Sequence, residues 1–275
     1  MSEKGSATAP RRRLDAELVT RALAPSWEQA RELVVAGRVL VGGSVATKPD
    51  RQVSPAEPIV VLGPRARFVG RGGLKLDAAL ERFSVDVTGL RAVDVGASTG
   101  GFTDCLLQRG ASSVVALDVG YGQLHERLRA DARVRSLERT NVRTVDVATL
   151  GGAVPIVVVD VSFISLRTIA PALASLLADG GDLVALVKPQ FEAGRVEASR
   201  GSGVVRDATV WRRVLGEVRD AIGRLDAAMM GIMVSPITGA NGNVEFLAHF
   251  HRGAPEAAVR DQDLDDVVDA VGGGS

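Results

Sequence analysis

The sequence predicts an α/β protein with two modules, a small amino-terminal α/β module and a larger one built on a mostly parallel, doubly wound sheet. Between Gly70 and about Arg252, apolar runs of strand length alternate with segments of helical periodicity, which is typical of a parallel sheet with helices on both faces. A glycine-rich turn, 96–101, joins the first of these runs to a helical segment. The last two runs lie too close together for a crossover helix, so we expect an antiparallel hairpin there.

Composition is that of a globular protein, but charge is uneven along the chain. Of 275 residues, 46% are hydrophobic and 24% charged, and Lys+Arg equals Asp+Glu at 33. From Arg11 to Arg71 eleven basic residues stand against six acidic ones, which indicates a polyanion as partner of the first module. From Glu256 onward there are six acids and one arginine, so the tail is acidic.

The sequence predicts a soluble, monomeric cytoplasmic protein without a metal. The single Cys105 excludes an internal disulfide and fits a reducing compartment. The chain opens without a signal-peptide pattern, and no apolar run reaches the ~18 residues needed to span a bilayer. His125, His249 and His251 are dispersed, which gives no metal-ligand spacing.

The first module is predicted to follow a disordered segment, 1–12, and to hold two helices, a hairpin and a further strand. Apolar residues recur at helical spacing from Leu14, and Ser26 can cap the second helix, which Gly37 ends. A Gly-Gly turn at 42–43 predicts the hairpin. The module spans 13–63, its helices 14–23 and 27–36, and its strands 39–41, 44–46 and 59–62.

The second module, 71–252, is predicted to follow a linker, 64–70, and to precede a flexible acidic tail, 253–275. Its strands are assigned to apolar runs that turn-forming residues bound. The predicted strands are 91–95, 113–118, 133–138, 155–160, 182–188, 228–234 and 243–250.

A strand, a glycine turn and a helix in "AVDVGASTGGFTDCLL" predict a nucleotide-type cofactor site. Ala97 and Ser98 stand where a dinucleotide-binding turn needs its second glycine, which disfavours a nicotinamide cofactor. Asp94 suits the charged methionine end of S-adenosylmethionine, and Asp118 suits ribose hydroxyls, so we favour this cofactor. Glu138 and Asn141 follow the third strand, where adenine contacts often lie. The predicted cofactor contacts are Asp94, Gly96, Ala97, Ser98, Thr99, Gly100, Gly101, Phe102, Asp118, Val119, Glu138 and Asn141.

Elimination favours an oxygen atom as the methyl acceptor. Amino-directed methyltransferases present Asn/Asp-Pro-Pro-aromatic after the fourth strand, where this chain has Asp160-Val-Ser-Phe163. Methylation at a pyrimidine carbon needs a cysteine near that strand end, and Cys105 lies on the first helix. An oxygen acceptor remains. If that oxygen is a ribose 2′-hydroxyl, its weak acidity calls for lysines with carboxylates that orient them.

Four residues provide this set: Lys75, Asp160, Lys188 and Glu245. Asp160 and Lys188 end adjacent predicted parallel strands, where open α/β sheets bind ligands. Taken singly, Lys75 is better explained as a solvated helix residue, Asp160 as a helix cap and Glu245 as an edge-strand charge, whereas Lys188 ends an apolar strand that faces the cleft. Glu192, close to Lys188, is predicted to be a loop or surface charge.

The segment "SWEQARELVVAGRVLVGGSVATKPDRQVSPAEPIVVL" resembles the S4-like RNA-binding domain. The resemblance implies that basic side chains contact structured RNA, through Arg13, Arg31, Arg38, Lys48 and Arg51. Arg65 and Arg67 in the linker are further candidates for RNA docking, although a plain linker explains them as well.

The second module resembles the FtsJ-like 2′-O-ribose methyltransferases, and the whole chain resembles the TlyA family. The motifs are "GRGGLKL", "DVGASTGGFTD", "LERTNVR", "DVSFISL", "LVKPQFE" and "GNVEFL". The four residues above match the Lys-Asp-Lys-Glu tetrad of the FtsJ-like enzymes in order. The resemblance implies a Rossmann-like class I methyltransferase fold and 2′-O-methylation of cytidine in ribosomal RNA. The residues before Arg13 and the long tail favour the members that modify both ribosomal subunits.

Our hypothesis makes Lys188 the residue that deprotonates the 2′-hydroxyl. Asp160 then orients Lys188, and Lys75 with Glu245 completes the network that positions the ribose. Two alternatives from other classes remain: an RNA-binding or ribosome-assembly protein with a vestigial methyltransferase fold, and a haemolysin, for which the chain has no suitable segment.

Overall fold

The computed structural model describes residues 10–24, 26–63, 66–194, 197, 203–254 and 259–272. The chain divides into two units, Met1–Arg71 and Gly72–Ser275. Each unit has a hydrophobic core of its own.

The first unit packs two helices on short antiparallel strands. Ser26 caps the second helix by accepting a hydrogen bond from the Gln29 amide, 3.3 Å away, as the sequence predicts. The predicted Gly-Gly turn joins two strands of a three-stranded sheet. A two-stranded pair, β1 with β4, was not predicted, because two-residue strands leave no periodic signal. The elements are β1 Arg12–Arg13, α1 Leu14–Thr20, α2 Trp27–Val35, β2 Val39–Val41, β3 Ser44–Val45, β4 Gln52–Val53 and β5 Ile59–Val61.

The second unit is built on a seven-stranded sheet with helices between its strands. The strands are β6 Arg91–Val95, β7 Ser113–Leu117, β8 Val134–Leu137, β9 Val154–Val159, β10 Leu177–Val187, β11 Ala227–Val234 and β12 Phe246–Arg252. The helices are α3 Gly72–Arg82, α4 Gly101–Gln108, α5 Glu126–Arg129, α6 Leu166–Leu176, α7 Pro189–Glu192, α8 Ala208–Gly223 and α9 Asp261–Gly272.

The strand order is β11-β12-β10-β9-β6-β7-β8. Strands β6 to β10 run parallel, and β12 is antiparallel to both β10 and β11, which confirms the predicted fold class and its final hairpin. The central strands are almost wholly buried, because helices cover both faces of a parallel sheet. The polar residues that end these strands therefore collect at one edge of the sheet.

Two segments differ from the sequence-based expectation. Strand β10 begins at Leu177 rather than at 182, because Leu177 pairs with Val154 before a bulge that contains Gly180 at φ 70°. The expected flexible tail instead contains α9, an amphipathic helix whose Leu264 is fully buried. The tail was predicted to be flexible because it is rich in acidic residues. An apolar residue at every third or fourth position nevertheless gives the helix a buried face.

Candidate active site

The carboxyl edge of the large sheet brings together an acid or a base from each of four neighbouring strands. Asp94 lies near the end of β6, and Asp118 directly follows β7. Asp160 follows β9, and Lys188 follows β10. Since these strands are parallel neighbours, their ends form one continuous cleft edge.

Lys188 and Asp160 form an ion pair across two adjacent strand ends. The Lys188 Nζ lies 2.6 Å from Asp160 Oδ1, and the side chains are 11% and 22% exposed. Lys188 Nζ also donates a hydrogen bond to Ser162 Oγ at 3.0 Å. The ammonium therefore has two partners on the segment after β9, and it keeps a small opening to solvent.

Lys75 and Glu245 form a second, more buried ion pair. Lys75 lies in the first turns of α3, Glu245 directly precedes β12, and their side chains are 10% and 3% exposed. A charge pair this buried is stable only because each member neutralises the other. At Gly239 a Cβ would lie 2.0 Å from Glu245 Oε1, so a glycine there makes room for this carboxylate.

The two ion pairs belong to one site. Val187 pairs with Phe246 in the antiparallel register, so the next residue of one strand and the preceding residue of the other, Lys188 and Glu245, lie opposite each other. A Cβ placed on Gly72, at the start of α3, would lie 3.7 Å from Asp160 Oδ2. The structure thus places all four predicted catalytic residues around one end of the sheet.

The glycine turn is shaped by contacts that exclude a side chain. Gly96 has φ 87°, and a Cβ there would lie 2.3 Å from the carbonyl oxygen of Asp160. Gly100 has φ 96°, and a Cβ there would lie 2.2 Å from Leu128 Cδ1. Ser98 between them is exposed and has φ 46°. The Asp160 backbone on one side and the Leu128 side chain on the other leave no room for a Cβ at either glycine.

Asp94 is a fully buried carboxylate whose charge is only partly compensated. Thr103 Oγ1 donates to Asp94 Oδ2 at 2.6 Å, whereas Asp94 Oδ1 has no hydrogen-bond partner among the described residues. Burial raises the pKa of Asp94 to about 7, and the bond from Thr103 opposes this shift. A cationic group of a ligand would supply the missing partner.

Asp118 faces a small concavity beside the glycine turn. Its carboxylate accepts hydrogen bonds from the backbone amides of Ser98, at 2.8 Å, and Gly120, at 2.6 Å. Glu138 lies in the same concavity and pairs with Arg129 at 3.1 Å. The lining residues are Ala97, Ser98, Ala116, Asp118, Gly120, Gln123, Leu124, Ser136 and Glu138. The acids and the adjoining backbone suit a ligand that carries hydroxyl groups.

The other predicted cofactor residues take different positions. Phe102 is buried and comes within 3.3 Å of a Cβ placed on Gly72, so it packs beneath α3. Val119 follows Asp118 in the loop after β7, and its side chain is 71% exposed. Thr99 accepts a hydrogen bond through its carbonyl from the His125 amide. Asn141 does not line the concavity; its side chain accepts from the Arg143 amide at 3.0 Å and so stabilises a local turn.

Two aromatic residues beside Lys188 were not predicted. Phe163 is 91% exposed with φ 66°, an unfavourable environment and an unfavourable backbone for this residue. Its ring lies 5.1 Å from that of Phe191, whose centroid lies 5.9 Å from Lys188 Nζ. The sequence signal was their place, three residues after Asp160 and three residues after Lys188. Exposed aromatic rings of this kind stack on unpaired bases.

Glu192 was predicted to be a surface charge, and that prediction is wrong. Its side chain is 3% exposed and accepts hydrogen bonds from the start of α6. The sequence offered no sign of this, because its partners are more than 20 residues away along the chain.

The predicted RNA-contacting residues of the first unit differ in what they contact. Arg31 and Lys48 are exposed. Arg13 pairs with Asp15 at 2.8 Å, Arg51 pairs with Glu57 at 3.4 Å, and Arg38 donates to the Leu62 carbonyl at 2.9 Å. Arg67 is exposed and lies over the ring of Phe68, and Arg65 lies outside the described residues.

The described part of the chain lacks two kinds of feature. It contains no group of three or more His, Cys, Asp or Glu side chains arranged to hold a metal ion. Within those same residues, no helix is both long enough and apolar enough to cross a membrane.

Comparison with known proteins matches both units. Residues 68–252 match the FtsJ-like methyltransferase family, and residues 12–59 match the S4 domain. The chain is 46% identical to the 16S/23S rRNA (cytidine-2′-O)-methyltransferase TlyA of Mycobacterium tuberculosis, over 94% of this chain and 97% of that protein. It is 32% identical to the 23S rRNA (cytidine-2′-O)-methyltransferase TlyA of Campylobacter jejuni, over 66% of this chain and 70% of that one.

A solved structure from Streptococcus thermophilus, which carries a provisional hemolysin name, is 41% identical, covers 96% of each chain and superposes with a TM-score of 0.77. The matches span both units and the complete set of strands that forms the site. The chain belongs to the TlyA family, whose members join an S4 domain to an FtsJ-like methyltransferase domain.

Proposed function

We propose that this protein transfers a methyl group from S-adenosylmethionine to the 2′-oxygen of a cytidine ribose in ribosomal RNA. The observation that carries the proposal is the pair of Lys188 and Asp160, 2.6 Å apart at the sheet edge, with Lys75 and Glu245 beside it. This arrangement sets two amines, each held by a carboxylate, at one end of the sheet. It suits the removal of a proton from a hydroxyl group.

The acids of the sheet edge fit the proposed cofactor. The unpartnered oxygen of Asp94 suits the cationic methionine end, and Asp118 with Glu138 suits the ribose and adenine end. S-adenosylmethionine, when bound, supplies an electrophilic methyl group on its sulfonium. The glycine turn between Asp94 and Asp118 lets the backbone approach such a ligand closely.

The two ion pairs have different roles in the reaction. Lys188 would take up the proton that the 2′-hydroxyl releases as its oxygen accepts the methyl group that bound S-adenosylmethionine would supply. Asp160 and Ser162 fix the direction of the Lys188 amine. Lys75, held by Glu245, stabilises the negative charge that develops on the oxygen.

The rings of Phe163 and Phe191 offer the target nucleotide a surface on which its base can stack. A ribose buried in a stacked RNA helix cannot reach the sheet edge, so the nucleotide leaves its stack. Phe163 then offers an exposed ring next to the amine that receives the proton. Basic side chains of the S4 unit, Arg31 and Lys48 first, hold the phosphate backbone.

The scope of the reaction is proposed to include RNA of both ribosomal subunits. The relative named for both 16S and 23S RNA matches 94% of this chain, whereas the relative named for 23S RNA matches 66%. The match to the relative named for both RNAs extends over more of this chain. The assay should therefore test both ribosomal subunits.

The experiment is methyl transfer to purified small and large ribosomal subunits from cells that lack the modification. Methyl-labelled cofactor is used, and the labelled nucleoside is identified after digestion. We expect 2′-O-methylcytidine with wild-type protein and none with Lys188→Ala. RNA binding without any transfer would instead support the binding-only alternative, and label in a base rather than a ribose would exclude the proposed acceptor.

A further inference from the structure

Glu192 is a buried carboxylate that the reaction described above does not use. It is the last residue of α7, the single turn that follows Lys188 directly. It is 3% exposed, which is rare for a glutamate unless the group is paired. A buried charge at the end of a four-residue turn requires a physical cause.

The contacts of Glu192 are confined to the start of one other helix. Its carboxylate accepts hydrogen bonds from the Ser165 hydroxyl, from the Leu166 amide at 2.6 Å and from Arg167 Nε at 3.3 Å. Its backbone carbonyl accepts from Arg167 Nη2 at 2.6 Å. These donors, together with the favourable dipole at the start of α6, compensate the buried negative charge.

These contacts join the two segments that carry the catalytic ion pair. One segment runs from Asp160 through Ser162 and Phe163 to Ser165, and the other from Lys188 to Glu192. The near ends are joined by the pair of Lys188 and Asp160, and the far ends by Glu192. The contact between the rings of Phe163 and Phe191 lies between the two links.

We infer that Glu192 is a positioning residue that sets the geometry of Lys188 relative to Asp160. It is buried against the start of α6 and acts through Lys188, and the inference rests on the proposed function. Without Glu192, the turn after Lys188 loses its link to the opposite segment. The Lys188 amine then samples orientations that do not face the ribose oxygen, and a displacement of about 1 Å at such a group can cost about 100-fold in rate.

A purely structural role makes a different prediction. If Glu192 only caps α6, its removal lowers stability, but the protein that remains folded has normal turnover. Turnover of folded protein and its pH profile therefore separate the two roles, whereas melting temperature does not.

The test compares Glu192→Gln with Ser165→Ala and Glu217→Gln. Glu192→Gln keeps the size of the side chain and removes its charge. Ser165→Ala removes one donor and serves if the first variant does not fold. Glu217→Gln is the matched control, because Glu217 pairs with the same Arg167, and its other ion pair in the described part of the chain is with Arg213, outside both segments.

The measurements are kcat, the KM for ribosomal subunits, the cofactor dissociation constant and the kcat–pH profile, at a temperature where all variants are folded. We expect at least a tenfold loss of kcat for Glu192→Gln, a smaller loss for Ser165→Ala, binding constants within twofold, and a shifted midpoint of the kcat–pH profile. Glu217→Gln should match wild type. Wild-type kcat and pH profile in a folded Glu192→Gln or Ser165→Ala protein would overturn the inference.

These outcomes separate failure of the inference from failure of the proposed function. Active wild type, inactive Lys188→Ala and a fully active Glu192→Gln would remove only the positioning role. Wild type without transfer to RNA, or Lys188→Ala with full transfer, would remove the proposed function itself.

Discussion

Lys188 Nζ lies 2.6 Å from Asp160 Oδ1, and the pair bridges the ends of two adjacent parallel strands in the most buried part of the sheet. An amine in this position is fixed by backbone geometry on one side and by a carboxylate on the other. Little rotation is then needed when a hydroxyl group arrives.

The buried Asp94 makes stability depend on pH. Its pKa rises from 3.8 in a solvated chain to about 7 in the folded protein, so the folded state binds more protons between these values. Stability contributed by this group therefore falls as pH rises from about 4 to about 7. Asp94→Asn removes the effect, and its unfolding free energy should exceed that of wild type by up to roughly 4 kcal/mol above pH 7.

The check is denaturant unfolding of both proteins between pH 4.5 and 8. Asp86→Asn is the control, because hydrogen bonds from Thr88 lower the pKa of the exposed Asp86 below 3.8, so its contribution to stability should stay constant over this pH range. A constant difference between Asp94→Asn and wild type over the whole range would contradict the assignment.

Phe163 should matter for RNA and not for stability. Phe163→Gly removes the ring and relieves a backbone with φ 66°, so we expect unchanged or higher stability. The loss of a stacking surface should lower kcat/KM for RNA by about 10- to 100-fold. Phe163→Tyr keeps a ring and should retain most of the activity. Equal activity of the glycine and tyrosine variants would argue against stacking.

Gly96 should not tolerate a methyl group. In Gly96→Ala the new Cβ meets the Asp160 carbonyl oxygen at 2.3 Å, so the turn and the neighbouring strand end must separate. We expect a loss of at least about 2 kcal/mol in unfolding free energy and of cofactor binding. Gly152→Ala is matched in φ, at 91°, but has open space around it, so it should cost only about 1 kcal/mol and leave binding intact. Calorimetry of cofactor binding and thermal unfolding compare the two.

The exposed cations of the S4 unit should contribute to RNA affinity without sequence preference. Arg31→Ala and Lys48→Ala should each weaken RNA binding and reduce the slope of log K against log salt by about 1 if the side chain contacts a phosphate. Arg38→Ala is the comparison, since Arg38 is held by the Leu62 carbonyl. An unchanged slope for both Arg31→Ala and Lys48→Ala would show that neither side chain contacts a phosphate and that RNA binds to another surface.

The sequence was most informative where function follows strand order. Asp160 and Lys188 could be predicted together because each directly follows an apolar run, and parallel strands end at the same edge. Glu192 could not be placed, because its burial depends on α6 folding against α7, and no local pattern encodes that contact. The same limit applies to α9. Its many acidic residues suggested a flexible tail, and its apolar face becomes buried only when the helix packs in the folded domain.

The role of Lys188 as the base is tested most directly by the single-turnover rate of methyl transfer with Lys188→Met. This substitution keeps the length of the side chain but removes the amine. Cofactor and ribosomal subunits are used at saturating concentrations, and binding of each is measured separately. We expect normal binding and a rate reduced by about 1,000-fold or more, because proton removal and alignment both depend on this amine. A rate within about tenfold of wild type would show that Lys188 is not the centre of the reaction.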